Sequence, residues 1–313
     1  MNVLITSFGS FSASCLASSL KKNFHAKIVA TDINDQLHLA GTEHIDLFER
    51  APHSSNTTRY LDFIASVIKR HDIDYVLPIT DPEIDILSLH DEFILNTKST
   101  FCIPGREAVL QSRDKKNWAQ NLKDKGFSTI PTFEQEDIAS ITSTVVAKPR
   151  NGRSSQGLLI IKDPETRLSV SHSKRYENYV FQPFIIGKHY VVDAVRDLYG
   201  NCITVCREEI TRTSNGAGLA VTVAYNEQLE QITERIMNEL DIHGAINIEY
   251  LESDGIYYAM DINPRPSAGI EFSVLSGIDI PKYHLQCFQH KEIPHRLDYS
   301  SKTYKTIYQR VVS

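Results

Sequence analysis

The chain has 313 residues, 41% of them hydrophobic and 23% charged, with a formal net charge of −6. That is room for two or three domains with a sizeable core, and the acidic balance argues against a broad nucleic-acid or anionic-membrane surface. No apolar run approaches the ~20 residues of a membrane helix, and five cysteines without a metal-ligand pattern, behind an opening that lacks signal-peptide character, fit reduced thiols in the cytoplasm.

Residues 2–6 read as a strand, Ser7-Phe8-Gly9-Ser10 as a turn, 13–22 as a helix and 28–32 as a second strand ending in Asp32. This is the opening of a doubly wound α/β unit. Asp32 stands where a ribose-binding acid of a dinucleotide site would, but the turn has one glycine where that fingerprint needs three. A helix follows at 59–71 and a short buried strand at 75–79. That strand ends at Thr80-Asp81-Pro82-Glu83, where Asp81 reads foremost as a cap for helix 82–90. A boundary is expected near 100–105. Residues 106–126 read as one charged helical segment closed by Gly126, with Lys115 and Lys116 on a solvated face.

Ser143–Pro149 reads as a strand with Lys148 near its end, running into the loop Arg150-Asn151-Gly152-Arg153-Ser154-Ser155-Gln156-Gly157 and a further strand. The loop's N–H groups and hydroxyls could cover phosphates, although it is no P-loop and a plain hairpin turn is the simpler alternative. Tyr179–Gly187 is a strand entering an apolar linker, which suits a flat aromatic base or merely a buried strand. Strands at 190–195 and 201–206 make a meander, with Asp193 an inward polar candidate. The loop 213–218 reads as a lid, and 227–240 as an amphipathic helix. Arg207 and Arg212 are candidate carboxylate anchors.

The 245–251 and 256–262 runs, joined at Ser253-Asp254-Gly255, read as a hairpin. Pairing them brings Glu249 near Asp261. Asp261, Asn263 and Arg265 share one face of an extended chain, stiffened by Pro264 and Pro266. Hard oxygen ligands on one face suit Mg²⁺ (or Mn²⁺), and a guanidinium suits phosphate. The alternative is an ordinary hairpin with its polar residues in water.

Taken in order, Lys115, Val-Ala-Lys148-Pro with its Gly/Ser loop, Gln182-Pro-Phe-Ile-Ile-Gly, Gly-Ala-Ile-Asn-Ile-Glu249 and Asp261-Ile-Asn263-Pro-Arg265 resemble the ATP-grasp superfamily. The nearest likeness is to the synthetase domains of the carbamoyl phosphate synthetase large subunit. The resemblance implies an α/β N-terminal doubly wound parallel sheet over 1–104. An ATP-grasp fold of two α+β subdomains, 105–180 and 181–313, then clasps the nucleotide.

It implies that ATP meets Lys115, Lys148, Gly152, Ser154, Ser155 and Gly157 at its phosphates, and Gln182, Phe184 and Ile185 at adenine. Asp193 is a substitute for the family's ribose acid, where this chain has Lys188-His189. Glu249, Asp261 and Asn263 would hold the metal, while Arg265 and Lys148 would carry catalysis. Arg207, Arg212, Ser267 and Gly269 are substrate candidates, in a pocket between the edge near Gly9, Asp81 and Glu83 and the loops 213–218 and 267–271.

The activity implied is an ADP-forming ligation of a small-molecule carboxylate to an amine through an acyl phosphate. The alternatives are an ATP-binding accessory or sensing protein without turnover, and an NAD-dependent dehydrogenase. No nucleic acid or membrane partner is expected, and a homodimer is left open.

Overall fold

The structure, a computed structural model, describes residues 1–153, 155–214 and 216–306. Strands β1 (Asn2–Ile5), β2 (Lys27–Asp32), β3 (Leu47–Arg50), β4 (Tyr75–Leu77) and β5 (Thr100–Phe101) form a parallel sheet ordered β3-β2-β1-β4-β5. Alternate residues leave opposite faces of a strand. Val3, Ile5, Ile28 and Ala30 therefore pack against helix α1 (Ala13–Phe24), while Leu4, Val29 and Val76 pack against α2 (Thr57–His71). Both faces are covered, as parallel sheets require.

Helices α3 (Asp81–Ser88) and α4 (Asp91–Leu95) follow β4. The charged segment beyond β5 is two helices rather than one, α5 (Arg106–Arg113) and α6 (Lys115–Asp124). Asp114 breaks it: its backbone is extended, and its carboxylate accepts from the N–H groups of Lys116 and Asn117, starting a new helix.

A small antiparallel sheet, ordered β7-β6-β8, joins β6 (Val145–Pro149), β7 (Leu159–Ile161) and β8 (Tyr179–Pro183), with α7 (Pro164–Ser171) over its core. The larger sheet is ordered β13-β12-β9-β10-β11-β14. Its strands are β9 (Lys188–Arg196), β10 (Cys202–Arg212), β11 (Gly218–Val223), β12 (Gly244–Ser253), β13 (Ile256–Asn263) and β14 (Lys302–Lys305). One face, with Val192, Ala194 and Ile248, packs on α8 (Glu227–Glu239). The other, with Val195, Ile203 and Ala245, shares a core with the first sheet through α1 and α10 (Ile280–Phe288), which follows α9 (Ile270–Leu275). Asp279, the cap of α10, accepts from Ser19 Oγ at 2.5 Å and Asn23 Nδ2 at 2.8 Å, tying the two units together.

Asp254 and Gly255 both have positive φ (54° and 77°), the turn that matches strand twist in a two-residue hairpin. It sets β12 against β13 so that Glu249 opposes Asp261 and Asn247 opposes Asn263.

Candidate nucleotide and phosphate site

A cavity of about 500 Å³ lies between the small and large sheets. Among its lining residues are Lys115, Lys148, Gly152, Ser155, Gln182, Phe184, Ile185, Arg212, Glu249 and Asp261. Ser154 lies outside the described residues. Gly157 is in the same loop but not in the wall. It turns the chain at φ 73°, and a Cβ there would stand 2.9 Å from Pro149 Cγ.

The apolar end is built from Leu158, Ile160, Phe184 and Ile186, which are 41%, 48%, 46% and 83% exposed, so apolar surface is left there for a ligand to cover. The linker after β8 approaches β12 so closely that a Cβ on Gly187 would meet Glu252 O at 2.1 Å.

The polar end gathers charge. Lys115 begins α6 at 8% exposure; its Nζ donates to Gly152 O at 2.7 Å and lies 3.2 Å from Asp261 Oδ1. The solvated-face reading holds for its neighbour Lys116, paired with Glu134, and fails for Lys115, because loop 150–153 folds back over it. Lys148 Nζ donates to Met260 O at 3.4 Å. Burial holds its pKa below the ordinary lysine value, against the raising pull of Asp261 and Glu249 and with Lys115 adding to the depression. Glu249 Oε2 accepts from Arg212 Nη2 at 2.8 Å. His189 also lines the cavity. Its Nδ1 accepts from Arg212 Nη1 at 3.1 Å, which leaves the proton on Nε2, and burial followed by Arg212 lowers its pKa.

Glu249, Asp261 and Asn263 present an all-oxygen donor set, two carboxylates opposed across the hairpin and one carboxamide two residues on. Among the described residues no three His, Cys, Asp or Glu side chains gather as a metal group; the third oxygen of this set belongs to a carboxamide, and Asp261 is the member that faces both Glu249's cavity and Asn263's. That chemistry fits a hard divalent cation that completes its shell with phosphate oxygens and water. Asn263 Nδ2 donates to Asn247 Oδ1 at 3.1 Å, which fixes the amide's orientation. Asn263 itself lines a smaller adjoining hollow, into which Asp261 also faces.

Several expectations are corrected. Asp193 is 1% exposed and held by Arg207 Nη1 at 2.6 Å and Ser273 Oγ at 2.7 Å, so it is spent on a buried ion pair and does not reach the cavity. Arg207, 2% exposed, is committed to Asp193 and Glu209 and cannot anchor a substrate. Ser267 and Gly269 support it: Arg207 Nη2 donates to Ser267 Oγ at 3.3 Å, and a Cβ on Gly269 would lie 3.1 Å from the same nitrogen. Arg212 lines the first cavity, as do Thr213, Ser214 and Gly216 of the loop read as a lid, rather than a separate substrate pocket.

A second cleft of about 610 Å³ runs along the carboxyl edge of the parallel sheet. Ser7, Gly9, Asp32 and Thr80 wall one side, while Arg153, Gln156, Arg265 and Ala268 wall the other. Arg153 and Gln156 line both cavities and so stand between them. Gly9 N donates to Asp32 Oδ2 at 2.8 Å; the turn's amide is thus turned to its own carboxylate, not to a dinucleotide phosphate.

Asp81 is not the cap expected of it: helix α3 runs Asp81–Ser88 with Thr80 in the cap position and no side-chain capping bond, because the Asp81 carboxylate is turned to arginines instead. Its carboxylate accepts from Arg265 Nε and Nη2 at 3.0 and 3.1 Å and from Arg113 Nη1 at 2.9 Å. Nothing in the local pattern around Asp81-Pro82 signals those partners, which lie 32 and 184 residues away.

A family model described as ATP-grasp domain matches residues 112–269. The carbamoyl phosphate synthase large chain of Thermoplasma acidophilum is 35% identical over 89 residues, 26% of this chain and 8% of that protein. This chain spans less than a fifth of the length of the curated relatives it matches. The biotin carboxylase–β-γ-ATP complex from Campylobacter jejuni superposes with a TM-score of 0.75 at 16% identity, over 93% of this chain and 72% of that one. N5-carboxyaminoimidazole synthetase from Staphylococcus aureus complexed with ADP does so with a TM-score of 0.75 at 15% identity, over 95% and 79%. These two likenesses are of fold.

Proposed function

The chain belongs to the ATP-grasp family, and on that premise we propose that it is an ATP-dependent, ADP-forming ligase joining a carboxylate to an amine. The observation that carries the reading is the convergence of Lys115, Lys148, Glu249 and Asp261 on the polar end of a cavity whose other end is apolar. Residues 1–104, 105–180 and 181–313 serve as the substrate-side unit and the two halves of the clasp.

A carboxylate resists attack because its charge repels nucleophiles and its oxygen leaves badly. Transfer of the γ-phosphoryl group from ATP gives an acyl phosphate and ADP; an amine then attacks the carbonyl carbon, forming the C–N bond as the C–O bond to phosphate breaks, with release of phosphate and a proton. Bringing the two anions together opposes charges that repel by about 4 kcal/mol at ~4 Å and an effective dielectric near 20. Lys148 and Lys115 offset that repulsion at the triphosphate, and Arg265 does so at the oxygens of the transferring group. Gln182, Phe184 and Ile185 seat the adenine, and the 152–157 loop covers the phosphates. His189, whose Nε2–H is fixed by the bond from Arg212, takes the ribose contact that Asp193 cannot. Glu249, Asp261 and Asn263 would hold Mg²⁺, which when bound neutralises phosphate charge. The acid enters by the second cleft, where Arg265 and Ala268 face the edge of the parallel sheet; an amino acid is the default substrate.

All five cysteines are unpaired, which suits a reducing, cytoplasmic setting. Among the described residues no helix is long and apolar enough to cross a membrane.

The test is a screen of the purified chain with ATP and Mg²⁺ against amino acids in pairs, reading ADP and phosphate. Release should appear with one acid–amine pair and vanish in Lys148→Ala and Asp261→Ala. AMP with pyrophosphate would refute the assignment. Nucleotide binding without phosphate release across the panel would make the protein a nucleotide sensor.

A further inference from the structure

Asp81 comes from the first turn of α3, on the N-terminal sheet, yet its carboxylate is 5% exposed and enclosed by guanidiniums from elsewhere. Arg265 leaves the end of β13, two residues past Asn263; Arg113 ends α5, two residues before Lys115. One carboxylate therefore links the N-terminal unit to two of the three segments that supply cations in the proposed reaction, those of Lys115 and Arg265 but not that of Lys148. Two parallel bonds from Arg265, through Nε and Nη2 at 3.0 and 3.1 Å, fix the plane of the guanidinium as well as its position. Nη1 donates to Pro266 O at 3.2 Å. Among the described residues, one N–H on each Nη is left over, and Arg265 lies in the wall of the second cleft. Stability alone is a weak account of such a pair, because desolvating two charges offsets most of their attraction.

We infer that Asp81 is a positioning residue: it holds the Arg265 guanidinium in the orientation that meets the transferring phosphoryl group. The N-terminal unit is then part of the reaction centre and not only a wall of the substrate cleft. This rests on the role given to Arg265 above.

The experiment needs no substrate. Calorimetry on the full chain with Mg²⁺ gives the dissociation constants of ADP and of the non-hydrolysable β,γ-imido analogue of ATP, and their ratio reports contact with the γ-phosphate. Arg265→Ala should lower the preference for the analogue about tenfold, the loss of one charge-assisted contact. Asp81→Asn should lower it by a similar factor while the ADP constant stays within about twofold. Asp81→Glu, which keeps the charge but displaces the fork by a methylene, should lower it about threefold. A merely structural role would weaken both ligands together and leave the ratio alone. The proposal is overturned if Arg265→Ala lowers the ratio and either folded Asp81 variant keeps the wild-type value. Should Asp81→Asn fail to bind ADP at all, Asp81→Glu decides. An unchanged ratio in Arg265→Ala would instead refute the role of Arg265 itself.

Discussion

Lys148 shows how burial and charge compete at a single side chain. Desolvation depresses its pKa from 10.5 despite the carboxylates of Asp261 and Glu249 nearby. The folded, nucleotide-free protein thus binds fewer protons than the unfolded chain between that lowered value and 10.5, and its stability rises with pH across the window. Bound phosphates would restore the ammonium, so nucleotide binding should take up protons on the alkaline side of neutrality. Calorimetric titration with ADP in two buffers of different ionisation enthalpy measures this; equal uptake by Lys148→Met would refute it. That variant should also bind ADP at least about tenfold more weakly. Lys148 was readable from its place at a strand end. The burial of Lys115 was not, since it depends on Gly152 O returning from 37 residues away.

At the scale of elements, the hairpin β12–β13 and the linker after β8 line the cavity proposed for the nucleotide, and a glycine shapes each. Gly187 faces backbone, with Glu252 O only 2.1 Å from the Cβ that alanine would add. Gly187→Ala should cost about 1–3 kcal/mol in unfolding free energy and weaken ADP binding, because the linker must move off β12. Gly255 has open space beside it and a φ of 77°. Gly255→Ala should cost about 1–2 kcal/mol for the left-handed backbone alone and leave ADP affinity unchanged. Denaturant unfolding with parallel ADP titrations separates the two; equal loss of affinity in both would contradict it. The hairpin was legible because Asp254-Gly255 sits between two runs of strand character. The split between α5 and α6 was hidden, since charged helical periodicity runs through Asp114 and only its capping bonds end the helix there.

Across the whole molecule, the ion pairs of Asp81 join the parallel sheet to the body that follows it. Arg265 and Arg113 outweigh burial and hold the Asp81 carboxyl down at about 2, against an ordinary 3.8. A lowered carboxylate pKa contributes stability above the unfolded value and loses it as pH falls through the folded one. The pair should therefore supply roughly 2 kcal/mol above pH 3.8, lost toward about pH 2. Glu83, raised by burial, acts in the opposite sense, but it cancels when wild type is compared with Asp81→Asn. Urea unfolding of both at a series of acid pH values should show their stabilities converging as pH falls; a constant gap would refute the linkage.

Alternation of apolar residues, the turn at Asp254-Gly255 and the short-range order of lysine, glycine loop, apolar linker and paired carboxylates are local properties, and the sequence by itself determined them along with the α/β class. Which polar groups are satisfied by one another is a property of segments far apart in the chain. Only the tertiary structure decided that Asp193 and Arg207 neutralise each other inside the sheet, that Thr213, Ser214 and Gly216 face the cavity of Lys148, and that Asp81 pairs with Arg265. A buried charge takes whichever partner the packing brings within reach, and that partner need not be near it in sequence.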